Sequence, residues 1–391
     1  MRARLKPQVI ILACAALLND TASEMIYPLL PVFLTATLGA TPLVIGLIEG
    51  AADGLASILK YIAGAWSDRF GRRKPLVVAG YGLAAASRAV IGAAGSWGTV
   101  LSARLIDRTG KGIRSAPRDA MIADVTPQED RGRAFGFHRA LDHTGAILGP
   151  IIAIALMQGL GMPIRQVFFI AVIPGALAVV LLVFALREER RPAPALRAGI
   201  VEARQPLSPS FIRAMIGIAF FSLANSSDAF LLLQAHEAGV SAAMLPLLWA
   251  AHHVIKSLFS TYTGGLSDRI GRKSLIVAGW SVYAVIYFVF PFAQNLTAFV
   301  LLFVAYAVPF TLAEGAEKAL ISDLVPANAR GRSFGIFYLV SGLGVLAGSL
   351  LFGVLYQEVS RLAAFFTGAV LALIAAAVIA STPSQRPESS S

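Results

Sequence analysis

Apolar residues fall into runs of about 20, separated by short polar breaks, and within several runs polar residues return at a helical interval. A hydrocarbon core about 30 Å thick takes roughly 20 helical residues per crossing. On that measure the pattern predicts spans near residues 9–33, 43–66, 76–94, 98–122, 133–157 and 165–186. A second set follows near 211–233, 243–265, 275–293, 297–321, 332–356 and 362–381. Between the sets lies "REERRPAPALRAGIVEARQPLSP", residues 187–209, charged and rich in proline. The chain therefore reads as an all-α membrane protein, with twelve transmembrane helices in two pseudo-symmetric six-helix bundles. The bundles would span residues 1–186 and 210–391, joined by a linker over 187–209, with a short tail at the end. The opening "MRARLKPQVIILACAALL" starts like a signal peptide, but no small-residue cleavage site follows and the chain runs on into "NDTASEMIYPLLPVFL", which predicts a retained first span.

The polar breaks supply an orientation. Arg2, Arg4 and Lys6 lie on one side with Arg69, Arg72, Arg73, Lys74, Arg131 and Arg133. The linker, Arg269, Arg272, Lys273, Arg330, Arg332 and Arg386 follow on that side, while the other loops offer Arg165 and Arg361 and little else. The positive-inside rule makes the basic side cytoplasmic, with both termini there, in a multi-pass protein of the cytoplasmic (inner) membrane. Composition agrees: 57% of residues are hydrophobic and 14% charged, where a soluble domain carries about a quarter charged residues. The net charge of +11 is then a topological signal, and no nucleic-acid partner is expected. A single cysteine, Cys14, excludes a disulfide framework and a cysteine metal site.

The two sets repeat each other. "GAWSDRFGRRK" at 64–74 returns as "GGLSDRIGRKS" at 264–274, and "RDAMIADVTPQEDRGRAFG" at 118–136 returns as "EKALISDLVPANARGRSFG" at 317–335. Repeats at one spacing imply two homologous bundles packed as parallel repeats, with a path between them near the midplane. The G-x-x-x-D-R-x-G-R-[RK] loop after spans 2 and 8 resembles the signature of the major facilitator superfamily, over nearly the whole chain. That resemblance implies secondary transport by alternating access. "RTGKG" at 108–112 resembles the span-4 motif of drug–proton antiporters, with Lys111 where glutamine is usual. "GAILGPIIAI" at 145–154 resembles their span-5 motif, although Ala153 and Ile154 stand where that motif closes on a glycine pair. The departure leaves export and import both open.

The repeated loop predicts a gate at the basic face, built from Asp68, Arg69, Gly71 and Arg72 and from Asp268, Arg269, Gly271 and Arg272. A helix N-terminus carries about half a positive charge. Asp68 is expected to dock at the helix starting at "GRSFG" and Asp268 at the one starting at "GRAFG", with Arg69 and Arg72 adding charge-assisted bonds.

Span 4 carries the densest charge. Arg104, Asp107, Arg108, Lys111, Arg114, Arg118 and Asp119 fall in an arc of roughly 140° at 100° per residue. A charge at mid-bilayer costs at least a few kcal/mol, so this face should meet a wet cavity or a partner. Similar faces group Asp20 and Glu24 on span 1, Glu49, Asp53 and Lys60 on span 2, and Arg139, Asp142 and His143 on span 5. Others hold Asp228 on span 7, His252, His253 and Lys256 on span 8, and Glu314, Glu317 and Lys318 on span 10. Spans 6, 9 and 12 hold essentially no charge and should face lipid.

Some of these charges have structural readings. Arg88 suits a neighbouring carboxylate, Lys60 suits snorkelling, His138 suits satisfied packing, and Arg118, Asp119 and Lys318 suit the gate region. The rest form the candidate substrate and proton site: Asp20, Glu24, Glu49, Asp53, Arg104, Arg108, Lys111, Arg114, Asp142, His143, Asp228, His252, His253, Lys256, Glu314 and Glu317. A carboxylate in a dry site can load and release a proton near neutral pH. The expected function is a proton-coupled transporter exporting a small polar or ionisable molecule, such as an organic acid or zwitterion held by Arg108, Lys111 and Lys256. The alternatives are an uptake symporter for an organic anion or metal chelate, a divalent-metal exporter using carboxylates and histidines, and a membrane receptor or enzyme. The last lacks a nucleotide loop, a nucleophile constellation and an appended soluble domain. No cofactor is expected. The proton gradient would supply energy, the partners would be a small-molecule or ion substrate and the bilayer, and a monomer would suffice.

Overall fold

A computed structural model of the chain describes residues 5–30, 33–40, 42–188, 207–225, 231, 245–293 and 296–382. The described residues form helices and turns with no strand. The first six helices are α1 (Pro7–Glu24), α2 (Pro42–Phe70), α3 (Lys74–Ala93), α4 (Trp97–Val125), α5 (Arg131–Ile154) and α6 (Ile164–Ala185). The next six are α7 (Pro209–Ala224), α8 (Leu245–Ile270), α9 (Arg272–Val289), α10 (Leu296–Asp323), α11 (Arg330–Val354) and α12 (Arg361–Ala380).

Seven of these helical stretches are long and apolar enough to cross a membrane. The other five are α1, α2, α4, α7 and α8. Most of them carry the polar faces read from the sequence, and α4, with its eight charged side chains, is the extreme case. The first span differs from expectation. Its α-helix stops at Glu24, and a 3-10 turn over Tyr27–Leu29 and a π turn over Phe33–Thr37 follow. Pro28 cannot donate a backbone hydrogen bond, which breaks a regular ladder there.

The packing repeats pair by pair. In the first half α1 packs on α5 and α6, α4 packs on α2 and α3, and α3 packs on α6. In the second half α7 packs on α11 and α12, α10 packs on α8 and α9, and α9 packs on α12. Adding six to every helix number of the first set gives the second. The halves meet through the reciprocal pairs α5–α8 and α2–α11, joined by α5–α10 and α4–α11. On α6, α9 and α12, large side chains such as Phe184, Val285 and Val370 point outward, as a lipid-facing surface requires.

Small residues set how closely the helices approach. Added methyl groups on Gly145 and Gly149 of α5 would meet the backbone of α1 and the Cβ atoms of Asp20 and Glu24, the latter at 2.7 Å. Gly344 and Gly348 of α11 meet Ser222 and Leu223 of α7 in the same way. Such small-residue crossings let helices pack without the usual side-chain spacing. They press the acidic face of α1 against α5. The second half is filled instead by rings: Trp280 stacks on Phe221 at 4.5 Å, and Tyr283, Tyr287, Tyr306 and Phe290 continue the cluster.

Candidate functional site

The site begins at the arginine-rich end of the bundle. Asp68, in the last turn of α2, accepts from the backbone N–H groups of Gly331 (3.1 Å) and Arg332 (2.7 Å) at the start of α11. Asp268, in the last turn of α8, accepts from Gly132 and Arg133 at the start of α5, both at 2.9 Å. Each carboxylate thus satisfies orphan donors of a helix in the opposite half and sits at the positive end of its dipole. Gly71 and Gly271 follow with φ of 63° and 95°, a left-handed conformation that glycine adopts without strain. That turn reverses the chain directly after each aspartate.

The basic partners differ from those expected. Arg69, Arg72 and Arg269 are exposed. Arg73 instead donates to Asp68 at 2.9 Å and also pairs with Asp124. Arg272 pairs with Asp268 and lies 3.3 Å from Asp323. Asp124 in turn pairs with Arg330 at 2.8 Å, and Asp323 with Arg131 at 2.6 Å. Two matching chains of charge therefore bind each half to the other. Asp124 and Asp323, and Arg131 and Arg330, occupy equivalent positions of the sequence repeat, and that equivalence was the signal that could have picked them out. Arg73 has no such signal, because it stands one residue beyond the equivalent of Arg272.

Deeper, glycines replace charges. Gly64 of α2 lies against Gly331 of α11, and Gly264 of α8 lies against Gly132 of α5, backbone to backbone. Above them Asp119 of α4 is fully buried and accepts from Lys318 of α10 at 2.7 Å, from Arg118 at 3.0 Å and from the Tyr338 hydroxyl of α11. The sequence places Arg118, Asp119 and Lys318 in the gate region, and here they are joined by Tyr338. They form an inner latch that ties the halves together well inside the protein.

Beyond the latch opens a cavity of about 470 Å³. It is lined from α1, α2, α4 and α5 on one side and from α7, α10 and α11 on the other. On α4, Asp107, Arg108, Lys111, Arg114 and Arg118 face it, whereas Arg104 and Asp119 are buried outside the lining. Arg108 lies 3.0 Å from Asp53 of α2 and 3.6 Å from Asp107. Arg114 donates to the Gly80 carbonyl at 3.2 Å and stands over the Tyr81 ring. Asp20, Glu24 and Asp142 line the cavity together.

Asp142 also accepts from Arg139 at 2.5 Å, and Arg139 reaches across to Glu314 of α10 at 2.7 Å. Glu314 additionally meets Lys256 and the His143 imidazole, each at 3.2 Å. Asp142 is therefore joined through Arg139 to an ion cluster that spans both halves. Glu317 accepts from the Trp280 indole at 3.0 Å.

Several expectations are corrected. Lys256, His143, His252 and His253 do not line the cavity. Lys256 is buried over the Phe310 ring, 4.1 Å from its centre, while His252 sits among Phe303, Tyr306 and Phe310, and His253 touches His143 at 3.2 Å. Periodicity placed them on the polar face of span 8, but that face meets α5 and α10 rather than the cavity. Lys60 does not reach a polar boundary; it lines the cavity, 4.8 Å from the centre of the Tyr338 ring. Arg88 donates to the side chain and carbonyl of Asn19, at 2.8 and 3.0 Å, and forms no ion pair among the described residues. His138 is buried with neither ring nitrogen hydrogen-bonded. Asp228 and the side chain of Glu49 lie outside the described residues. No three His, Cys, Asp or Glu side chains among the described residues converge as metal ligands.

Comparison with known proteins places this geometry. The Major Facilitator Superfamily model matches residues 12–235 and 214–391. An uncharacterised MFS-type transporter of Methanocaldococcus jannaschii is 35% identical over 95% of this chain and 93% of its own length. Multidrug resistance protein 1 of Bacillus subtilis is 26% identical over 83% of each chain. Among solved structures, a human organic anion transporter superposes with a TM-score of 0.80 at 17% identity, covering 97% of this chain and all of its own. A proton:xylose symporter superposes with a TM-score of 0.76 at 18% identity, over 96% of this chain and 95% of its own. At such identities the superpositions carry the fold alone, but the family model and the archaeal relative cover nearly the whole sequence. The chain belongs to the Major Facilitator Superfamily, a family of multi-pass membrane transporters that carry small molecules without enzymatic chemistry or a cofactor.

Proposed function

We propose that this chain is a proton-coupled transporter that works by alternating access and exports a small polar or ionisable molecule from the cytoplasm. The observation that carries the reading is the Asp142 carboxylate, set with Asp20 on the cavity wall. It is linked through Arg139 to Glu314 in the other half. A proton binding to or leaving that carboxylate changes how strongly Arg139 is held on the first half, and so the balance of the contact between halves. The domains are residues 1–186 and 210–391 with the linker between, and the arginine-rich end faces the cytoplasm by the positive-inside rule.

Support for export comes from relatives named for drug and tetracycline resistance at 26–27% identity. The residues assigned to cargo and proton are Asp20, Glu24, Asp53, Lys60, Arg108, Lys111, Arg114 and Asp142, with Glu314 as the coupling partner. Asp68 and Asp268 with their arginines form the gate.

The test uses purified protein in liposomes with an imposed pH gradient, a lumenal pH dye, and cargoes drawn from a thermal-stabilisation screen. Cargo-dependent proton movement is expected, and Asp142→Asn should keep cargo binding while losing pH-driven accumulation. Accumulation in Asp142→Asn equal to that of the parent protein would overturn the coupling site. Assays on everted and right-side-out vesicles decide the direction, since an exporter accumulates cargo only in everted ones.

A further inference from the structure

The two walls of the cavity differ in kind. The first-half wall supplies ten charged side chains, six basic and four acidic, and no aliphatic residue. The second-half wall supplies the apolar lining: Ile218 and Phe221 of α7, Phe310 and Ala313 of α10, and Phe337 and Val345 of α11. The packing accounts for this division. The first half is held by glycine crossings that leave room for long charged side chains, whereas the second half is filled with rings, of which Phe221 and Phe310 reach the cavity.

Two of the four acidic groups of the charged wall are already engaged: Asp107 lies 3.6 Å from Arg108, and Asp142 holds Arg139. Lys60 of α2 and Lys111 of α4 line the same cavity and form no ion pair among the described residues. Asp20 and Glu24 likewise form no ion pair among the described residues, and the wall as a whole sets six basic groups against four acidic ones. A wall with an excess of basic groups, facing one that carries the apolar lining beside Glu314, Glu317 and Lys318, suits a ligand with an anionic head and an apolar body.

We propose that the cargo is an amphiphilic organic anion whose acidic head lies between Lys60, Arg108 and Lys111 and whose apolar body lies against Phe221, Phe310 and Phe337. This inference rests on the transport reading above and narrows its cargo. A zwitterion would use Glu24 as well, and a fully polar anion would leave the ring-lined wall in contact with water. The body is selected by area and the head by charge, so the two requirements separate experimentally.

The experiment takes full-length protein in detergent and measures melting temperature and calorimetric affinity for four probes. They are 2-naphthoate, 2-naphthylmethylamine, 2-naphthylmethanol and succinate. Naphthoate should stabilise the protein and bind at least tenfold more tightly than each of the others. Preference for the amine would overturn the proposal in favour of Glu24, equal binding of the alcohol would remove the role of the cationic wall, and equal binding of succinate would remove that of the apolar wall. No binding of any probe would overturn the proposal outright. Lys111→Gln and Lys60→Gln should each weaken naphthoate about ten- to a hundredfold, the range for a lost charge-assisted contact, while leaving the alcohol unchanged. Phe337→Ala should weaken both naphthoate and the alcohol. Uptake of the same probes into proteoliposomes separates this inference from the one it rests on. Naphthoate that binds but is never carried contradicts transport of this cargo while its binding site stands, and an amine that is carried contradicts the cargo class while transport stands.

Discussion

Replacing Asp68 by asparagine removes a charge and one acceptor without changing the shape of the side chain. The native carboxylate accepts two backbone N–H bonds from α11 and one from Arg73, with its side chain only 2% exposed. An asparagine amide offers one oxygen, so one helix donor loses its partner, and the Arg73 contact becomes an ordinary hydrogen bond. Hydrogen bonds to charged groups contribute about 1.5–3 kcal/mol each. Losing one and weakening another should cost the closed gate about 3–4 kcal/mol, which shifts its population by two to three powers of ten. The equivalent Asp268 side chain is 9% exposed, so water can replace part of what is lost, and Asp268→Asn should cost less. The assay is electron–electron distance measurement between spin labels on cysteines at Glu129 and Ala327, both exposed near the gate on opposite halves. Cys14, the only native cysteine, would first be changed to alanine. The parent protein should give one short distance, and Asp68→Asn a dominant longer one, with transport reduced at least tenfold. An unchanged distance distribution, or an Asp268→Asn effect larger than that of Asp68→Asn, would refute the reasoning.

Other substitutions probe other layers. Arg108→Lys keeps the charge but cannot span Asp53 and Asp107 together, so naphthoate-driven transport should fall about tenfold with melting temperature little changed; parent-like transport would show that the planar fork is unnecessary. Gly264→Ala places a methyl group against the Gly132 backbone, where no side chain can yield, and should block closure and stop transport. Gly54→Ala, with nothing within 4 Å, should leave transport unchanged. Lys318→Met leaves Asp119 fully buried with less positive charge around it and should cost about 3–5 kcal/mol of stability, read as a lower melting temperature that adding Asp119→Asn partly restores.

The helical frame and the clamp were legible because each rests on a short-range rule. Twelve apolar runs need only the thickness of a bilayer, and the doubled "SDR-x-G" loop needs only a carboxylate at a helix end and a helix start to meet. The α4 stripe followed from the helical angle alone. What periodicity could not supply was the identity of the neighbour. It set Lys256 and the span-8 histidines on a polar face, but that face packs against α5 and α10, where Glu314 and aromatic rings receive it. It set Lys60 near a membrane boundary, because a span read as ending at residue 66 is in fact helical to Phe70, which draws Lys60 inward. His138 was assigned partners that the packing does not provide. The Lys256 and histidine misreadings turn on tertiary contacts between residues more than 50 positions apart, and that of Lys60 on a helix end displaced by one turn.

The inner and outer contacts between the halves are not interchangeable. The outer clamp is duplicated, with each aspartate on a helix terminus of the other half, and its charges lie at the end of the bundle, away from the cavity. It can hold one state, but a molecule in the cavity cannot reach it. The inner latch is single. Arg118, Lys318 and Tyr338 both line the cavity and bind Asp119, which is itself withdrawn from it. An anion arriving beside them competes directly with Asp119 for the same donors, within one side-chain length. In the transport mechanism we propose, the cost of an unpaired buried carboxylate would tie occupancy of the cavity to separation of the halves.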